Sequence, residues 1–264
     1  MKILAIMGSP NKGGTGTKVV QEIARVMGEL GPVDIELLHL KDEGLGICRG
    51  CFACVSKGED RCPMAEERVR IEKRIEAADG ILLISPGYVQ NVSGLMKNFM
   101  DRMAYTNHRP RFFGKKVMIV ANGGARLDKT LDGLRIAIGG PEVVSELAYI
   151  QVPWPMQDRT QKKSSKALRK AAVGFHQALK DNDRTPSFGS YMRFRFFKEI
   201  SADMGPWLPA DHEFYGKLDS YYYDVKIGAG MRLKAAIVMP IGKFFMRGMA
   251  PAMPMEREAG RKNK

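Results

Sequence analysis

The chain's only cysteines, Cys48, Cys51, Cys54 and Cys62, fall in one run spaced C-x2-C-x2-C-x7-C. Thiols at intervals of three converge on one centre when the loop curls, and a fourth a few residues on completes a four-thiolate shell. That is the donor set of an iron–sulfur cluster or a structural zinc. The triple spacing resembles cluster loops more than the paired C-x2-C knuckles of zinc sites. A redox-active C-x-x-C is the third chemistry open to these residues, with Arg49 and Lys57 as cations that would lower a thiol's pKa.

A second chemical segment is Gly8-Ser9-Pro10-Asn11-Lys12-Gly13-Gly14-Thr15-Gly16-Thr17. Glycines let backbone N–H groups turn toward an anion, Ser and Thr add donors, and a helix start adds a favourable dipole. No Gly-Lys-Ser/Thr follows, and Val19 stands where the third glycine of G-x-G-x-x-G belongs, which disfavours ATP hydrolysis and a standard dinucleotide site. A monophosphate held by hydroxyls and backbone fits better, with Lys12 either assisting by charge or solvated. The plainer alternative is a flexible loop with a capping Thr.

Two further stretches suit a flat ring. In Ser85–Gly94, Gly87 lets a ligand approach the backbone, Tyr88 offers a stacking face, and Asn91 can hydrogen-bond ring heteroatoms. Asn122-Gly123-Gly124 is a second permissive stretch. Taken alone, Tyr88 is an ordinary loop aromatic. Lys97 and Asp101, four apart, read as a surface ion pair. Arg102, His108, Arg109 and Arg111 make a basic patch suited to the phosphate of a nicotinamide cofactor or to an acidic substrate.

The elements that must position these residues follow from hydrophobic periodicity. Strands are expected at 2–7, 33–40, 80–85, 116–122 and near 143–150. Helices are expected at 17–30, 64–78, 93–105, near 126–138 and about 162–180. Five alternations of strand and helix predict an α/β, doubly wound, five-stranded parallel sheet of flavodoxin-like order 2-1-3-4-5. Ligands then bind outside the carboxyl ends of the strands. The loops at that edge, 8–17, 41–63, 86–93 and 122–126, hold the unusual residues.

Composition sets outer limits. The 264 residues are 44% hydrophobic, enough for a core without staples. The N-terminal apolar run is cut at strand length by Gly8-Ser9-Pro10, so it reads as a buried strand of a cytoplasmic protein rather than a signal peptide. No stretch approaches the roughly 20 apolar residues of a membrane span. The net charge of +13 is spread along the chain without a nucleic-acid module signature, so no nucleic-acid partner is expected.

With those residues in place, the chain resembles the NAD(P)H-dependent FMN reductase family, and within it the iron–sulfur flavoproteins and their cluster-free relatives. The stretches that carry the resemblance are GSPNKGGTGT, CRGCFACVSKGEDRCPMAEE, ADGILLISPGYVQNVSGLMKNFMDR and KKVMIVANGGA, over about the first two-thirds of the chain. The resemblance implies non-covalent FMN, with Ser9, Asn11, Gly16 and Thr17 at its phosphate. Pro86, Gly87, Tyr88, Asn91 and Val92 would line the ring, with Asn122, Gly123 and Gly124 on its other side. It implies NAD(P)H as donor, a small-molecule or protein acceptor, and a homodimer or homotetramer. In the iron–sulfur members a compact cysteine run binds a [4Fe-4S] cluster, here Cys48, Cys51, Cys54 and Cys62, while other relatives have similar cysteines and no cluster. The chain departs from the family at Asn11, where Arg or Lys is common, and at Ala65-Glu66-Glu67, which shifts an acidic pair. It departs again at Gly87, where Val or Ile is common and where looser packing is expected.

No catalytic side chain is assigned, because the reaction belongs to the flavin. The alternatives are an electron carrier with cluster and flavin but no organic substrate, and a flavodoxin-fold binding or regulatory module. The domain reading is residues 1–182 for FMN and 183–264 as an extension for docking or oligomer contact. In the extension, aromatics from Phe188 to Trp207 are read as docking it onto the core. A basic amphipathic segment at 231–249, interrupted by Pro240, is read as a subunit contact, with a membrane surface as the lesser reading. A disordered tail is expected at 256–264.

Overall fold

The computed structural model describes residues 1–152, 154–181 and 183–246. Two compact units divide the chain, Met1–Arg184 and Thr185–Lys264. The expected tail at 256–264 lies outside the described residues.

The first unit runs β1 (Lys2–Met7), α1 (Thr15–Gly28), β2 (Asp34–His39), a single turn α2 (Ala53–Ser56), α3 (Ala65–Ala77) and β3 (Gly80–Pro86). It continues with α4 (Gly94–Arg102), β4 (Lys116–Gly123), α5 (Leu127–Arg135), β5 (Glu142–Ile150) and α6 (Asp158–Asp181). The strands are all parallel and lie in the order 2-1-3-4-5. Sequence and position agree here. β1, β3 and β4 are continuous apolar runs because both their faces are covered, whereas β2 and β5 at the edges are only partly buried.

One core lies between the sheet and the α3, α4 and α5 side, built on Ile71, Ile75, Phe99 and Leu134. The other lies under α1 and α6, built on Val19, Ile23, Met27, Leu168 and Phe175. Each such side chain contributes roughly 1.5–3 kcal/mol relative to an exposed one. The register sets Met7 beside Ile84 and Pro86 beside Asn122, so the carboxyl ends of β1, β3 and β4 adjoin.

The second unit contains α7 (Phe188–Asp203), α8 (Pro209–Gly216) and α9 (Ala229–Met246). Its aromatics, read from sequence as a docking stretch, stack on one another. Phe194 meets Tyr222 at 5.0 Å and Tyr221 at 5.5 Å between ring centres, and Tyr215 lies parallel to Phe197 at 6.0 Å. Phe194 and Tyr215 are fully buried in this cluster. Pro240 does not end α9; it sits inside the helix, at the loss of one backbone hydrogen bond.

Candidate functional site

The loops after β1, β3 and β4 are sewn together. Gly8 N–H donates to Ile84 O at 2.8 Å, and Gly87 N–H donates to Asn122 O at 2.9 Å. Ser93 Oγ donates to Gly8 O at 2.6 Å, and Ser93 N–H donates to Ser85 Oγ at 2.9 Å. The same Ser93 hydroxyl accepts from Met96 N–H and so caps α4. A Cβ on Gly8 would lie 2.8 Å from Ser93 Oγ, so only glycine permits this approach. Nothing in the sequence pattern marks Ser85 and Ser93 as a stitch between loops.

In the first loop the short side chains shape the backbone. Asn11 N–H donates to Ser9 Oγ at 3.2 Å, Gly13 N–H to Asn11 Oδ1 at 3.1 Å, and Thr17 Oγ1 to Lys12 O at 2.6 Å. Lys12 pairs with Asp42 at 2.7 Å on the surface, so its charge is already engaged. No side chain caps α1, and its opening N–H groups remain for an anion. Gly16 lies against Met7, and a Cβ there would stand 3.7 Å from Asn122 Oδ1. That amide oxygen is buried and has no hydrogen-bond partner. A buried acceptor left so costs about 1–3 kcal/mol, and a ligand donor at this edge would recover it. The cradle and the orphaned acceptor together fit FMN.

The third loop carries backbone strain. Val89 and Gln90 both have positive φ, 50° and 58°, in a tight turn closed by Asn91 N–H to Tyr88 O at 3.0 Å. The left-handed region is costly for a β-branched residue, and such turns gather at functional sites. Tyr88 is exposed, whereas Val92 belongs to the core and Asn91 Oδ1 accepts from Val92 N–H. Gly87 does not loosen the packing as expected. A Cβ there would meet Leu127 Cδ2 at 2.8 Å and Thr130 Oγ1 at 3.0 Å, so neighbours already fill the space. The Thr130 hydroxyl is buried without a partner, and no motif in the sequence marks it. Gly124 stands over Val152 at the far side.

All four thiols line one cleft, with Arg49, Phe52, Met64 and Arg102 among its walls. Among the described residues they do not close to the distances of a metal shell. Burial pushes the Cys54 thiol up, and the neighbouring Cys62 and Cys48 push it further. The expected activation of a thiol by nearby cations is therefore reversed at Cys54, because burial outweighs them.

The anticipated basic patch is not an open surface. Arg102 and Arg109 are buried, and Arg111 pairs with Glu72 and Glu76. Arg102 Nη1 donates to Gly46 O at 2.7 Å and its other nitrogen to Met64 O. Arg109 donates to Val55 O at 2.8 Å and to Cys54 O at 2.5 Å. Arg68, also buried, donates to Glu59 O at 2.8 Å and to the Glu72 carboxylate. Asn98 completes the clamp: its Oδ1 accepts from Cys48 N–H at 3.0 Å and its amide donates to Leu45 O at 2.9 Å. Three buried cations thus border a loop of four thiols, and their charge would offset that of thiolates there. Lys97 and Asp101 pair on the surface as expected.

The family profile described as NADPH-dependent FMN reductase matches residues 1–144. The chain belongs to that family. It is an FMN-dependent oxidoreductase supplied by NAD(P)H. Among its relatives, an "iron-sulfur flavoprotein" of Archaeoglobus fulgidus is 27% identical over 220 residues, 81% of this chain and 97% of that one. A second from the same organism is 37% identical over 131 residues, 47% of this chain and 63% of that one, so the match spans less than two thirds of its length. An "NADPH azoreductase" of a Bacillus species is 28% identical over 143 residues, 53% of this chain and 70% of that one. In structure, an oxidoreductase of Corynebacterium diphtheriae matches with a TM-score of 0.50 at 15% identity, over 69% of this chain and 98% of that chain, which shows the shared fold. No described helix is long and apolar enough to cross a membrane.

Proposed function

We propose that FMN binds at the joined loops after β1, β3 and β4, and that the cysteine cleft holds a [4Fe-4S] cluster. The observation that carries the flavin assignment is the buried, unpartnered Asn122 Oδ1 facing Gly16 at the uncapped start of α1. FMN, when bound, supplies hydride acceptance from the nicotinamide and onward transfer of the electrons. The residues supply position. Ser9, Asn11 and Thr17 hold the first loop so that the N–H groups around Gly16 face the phosphate. Pro86, Gly87, Asn91 and Val92 keep the third loop close to Asn122, Gly123 and Gly124, and Tyr88 offers a ring face at the rim. Ser93 and Ser85 keep the loops from separating.

The cluster reading draws on the shared cleft, the three buried arginines and the similarity to iron–sulfur flavoproteins. A [4Fe-4S] cluster, when bound, supplies one-electron transfer, which would suit a protein or small-molecule acceptor. We also place the chain in the cytoplasm, where its four free thiols are kept reduced. We assign it a homo-oligomer, because Phe52, Tyr88, Val89 and Trp154 are large and exposed. Light scattering of the purified chain tests that assembly.

Titration of the apoprotein with FMN tests the site. Asn122→Leu is expected to weaken FMN binding about tenfold without loss of thermal stability, since it removes an unpartnered polar atom. Equal affinity in variant and parent overturns the assignment. For the cluster, anaerobic purification is expected to yield iron and acid-labile sulfide in equal amounts, both lost in Cys54→Ser. A parent chain without either overturns it.

A further inference from the structure

α9 leaves an apolar face uncovered. Leu233, Ile237 and Ile241 are 65%, 62% and 57% exposed, and their spacing of four sets them in one stripe along the helix. Val238 lies exposed beside them. Ala235 and Met239 are buried, about half a turn away from the stripe, so the helix rests on its own unit through the opposite face. The stripe contributes nothing to that packing.

The charge around the stripe has a single sign. No Asp or Glu occurs between Asp224 and Glu256, whereas Lys226, Arg232 and Lys234 flank or share the helix. All three are exposed, and no ion pair among the described residues engages them. An apolar stripe in a segment whose only charges are cations, with Lys234 beside it, matches an anionic bilayer surface: acyl chains receive the stripe and headgroups receive the charge. We propose that α9 lies in the plane of an anionic membrane with Leu233, Ile237 and Ile241 inserted. The helix rests on the surface and does not span it, since no described helix is long and apolar enough to cross a membrane. A second copy of this chain is the poorer occupant. A two-fold contact through the stripe would gather the cations of both copies, with no carboxylate on either helix to pair with them.

Sedimentation of the full chain with vesicles decides the matter. Vesicles of phosphatidylcholine with phosphatidylglycerol are expected to pellet the protein, with binding on the order of tenfold weaker to phosphatidylcholine alone and falling as salt rises. A double variant, Leu233→Gln with Ile237→Gln, is expected to bind the anionic vesicles on the order of tenfold less or weaker still, with circular dichroism and thermal melting unchanged because both residues are exposed. A parent that ignores anionic vesicles overturns the proposal. So does equal pelleting of parent and double variant, which would trace binding to the net charge of +13 rather than to α9. A drop in oligomeric state of the double variant in lipid-free light scattering also overturns it and assigns the stripe to a second copy.

Discussion

The flavin edge and the cysteine loop adjoin α4 from two directions, and they are held by opposite means. At the flavin edge the work falls to backbone groups and short hydroxyls: Gly8, Gly87, Ser85 and Ser93 bind one loop to the next with no ion pair among them. At the cysteine loop it falls to long buried guanidiniums, which reach main-chain oxygens at Gly46, Cys54, Val55, Glu59 and Met64. The difference matches the ligands proposed for the two regions. The phosphate proposed for the first loop asks for uncommitted N–H groups, and the one lysine of that loop, Lys12, is turned to Asp42. Thiolates around a metal bring negative charge into a half-buried loop, and fixed cations beside it lower that cost.

The largest test of this contrast is Arg68→Met. It removes the cation from a pair whose side chains are 2% and 4% exposed and leaves Glu72 under-compensated. A loss of about 3–5 kcal/mol in chemical denaturation is expected, together with loss of iron. A loss below about 1 kcal/mol would mean the loop does not depend on its buried charges. Gly87→Val probes the other region. Crowding against Leu127 and Thr130 should destabilise by about 1–3 kcal/mol and release FMN while leaving cysteine chemistry intact. Retained flavin in that variant would show that the loop tolerates being pushed from Asn122.

Val89→Asn acts in the opposite sense. It relieves a β-branched residue from positive φ and should raise stability by about 1 kcal/mol in thermal melting. A weaker FMN affinity in the same variant would tie the strain to flavin binding. The smallest effect is one of pH. Because burial, then Cys62 and Cys48, push the Cys54 thiol up, its neutral form persists above the ordinary thiol range. In metal-free protein, alkylation of Cys54 followed by mass spectrometry should therefore rise only at pH above that range. Rapid labelling near neutrality would contradict the burial of this thiol.

Much of the frame can be read from the chain's hydrophobic pattern. Continuous apolar strands separated by amphipathic helices specify a parallel sheet covered on both faces, and the strand order followed. What escaped was contact between distant residues. Arg102 and Arg109 read as a basic patch because Arg is normally exposed, and only the fold reveals that each is buried against main-chain oxygens some 50 residues away in sequence. α7 escaped because Tyr191, Phe194, Phe196 and Phe197 surround the helix and blur its period, since it packs against more than one neighbour.

The sheet, the cysteine spacing and the glycine-rich first loop follow from the amino-acid order alone, because each depends on residues close in the chain or on simple periodicity. That Gly16 faces Asn122, that Gly87 is required by Leu127 and Thr130, and that three buried arginines hold the cysteine loop emerges only in the folded chain. These are matters of packing between segments far apart in sequence, where the partner of a polar group is set by which surfaces the fold brings together.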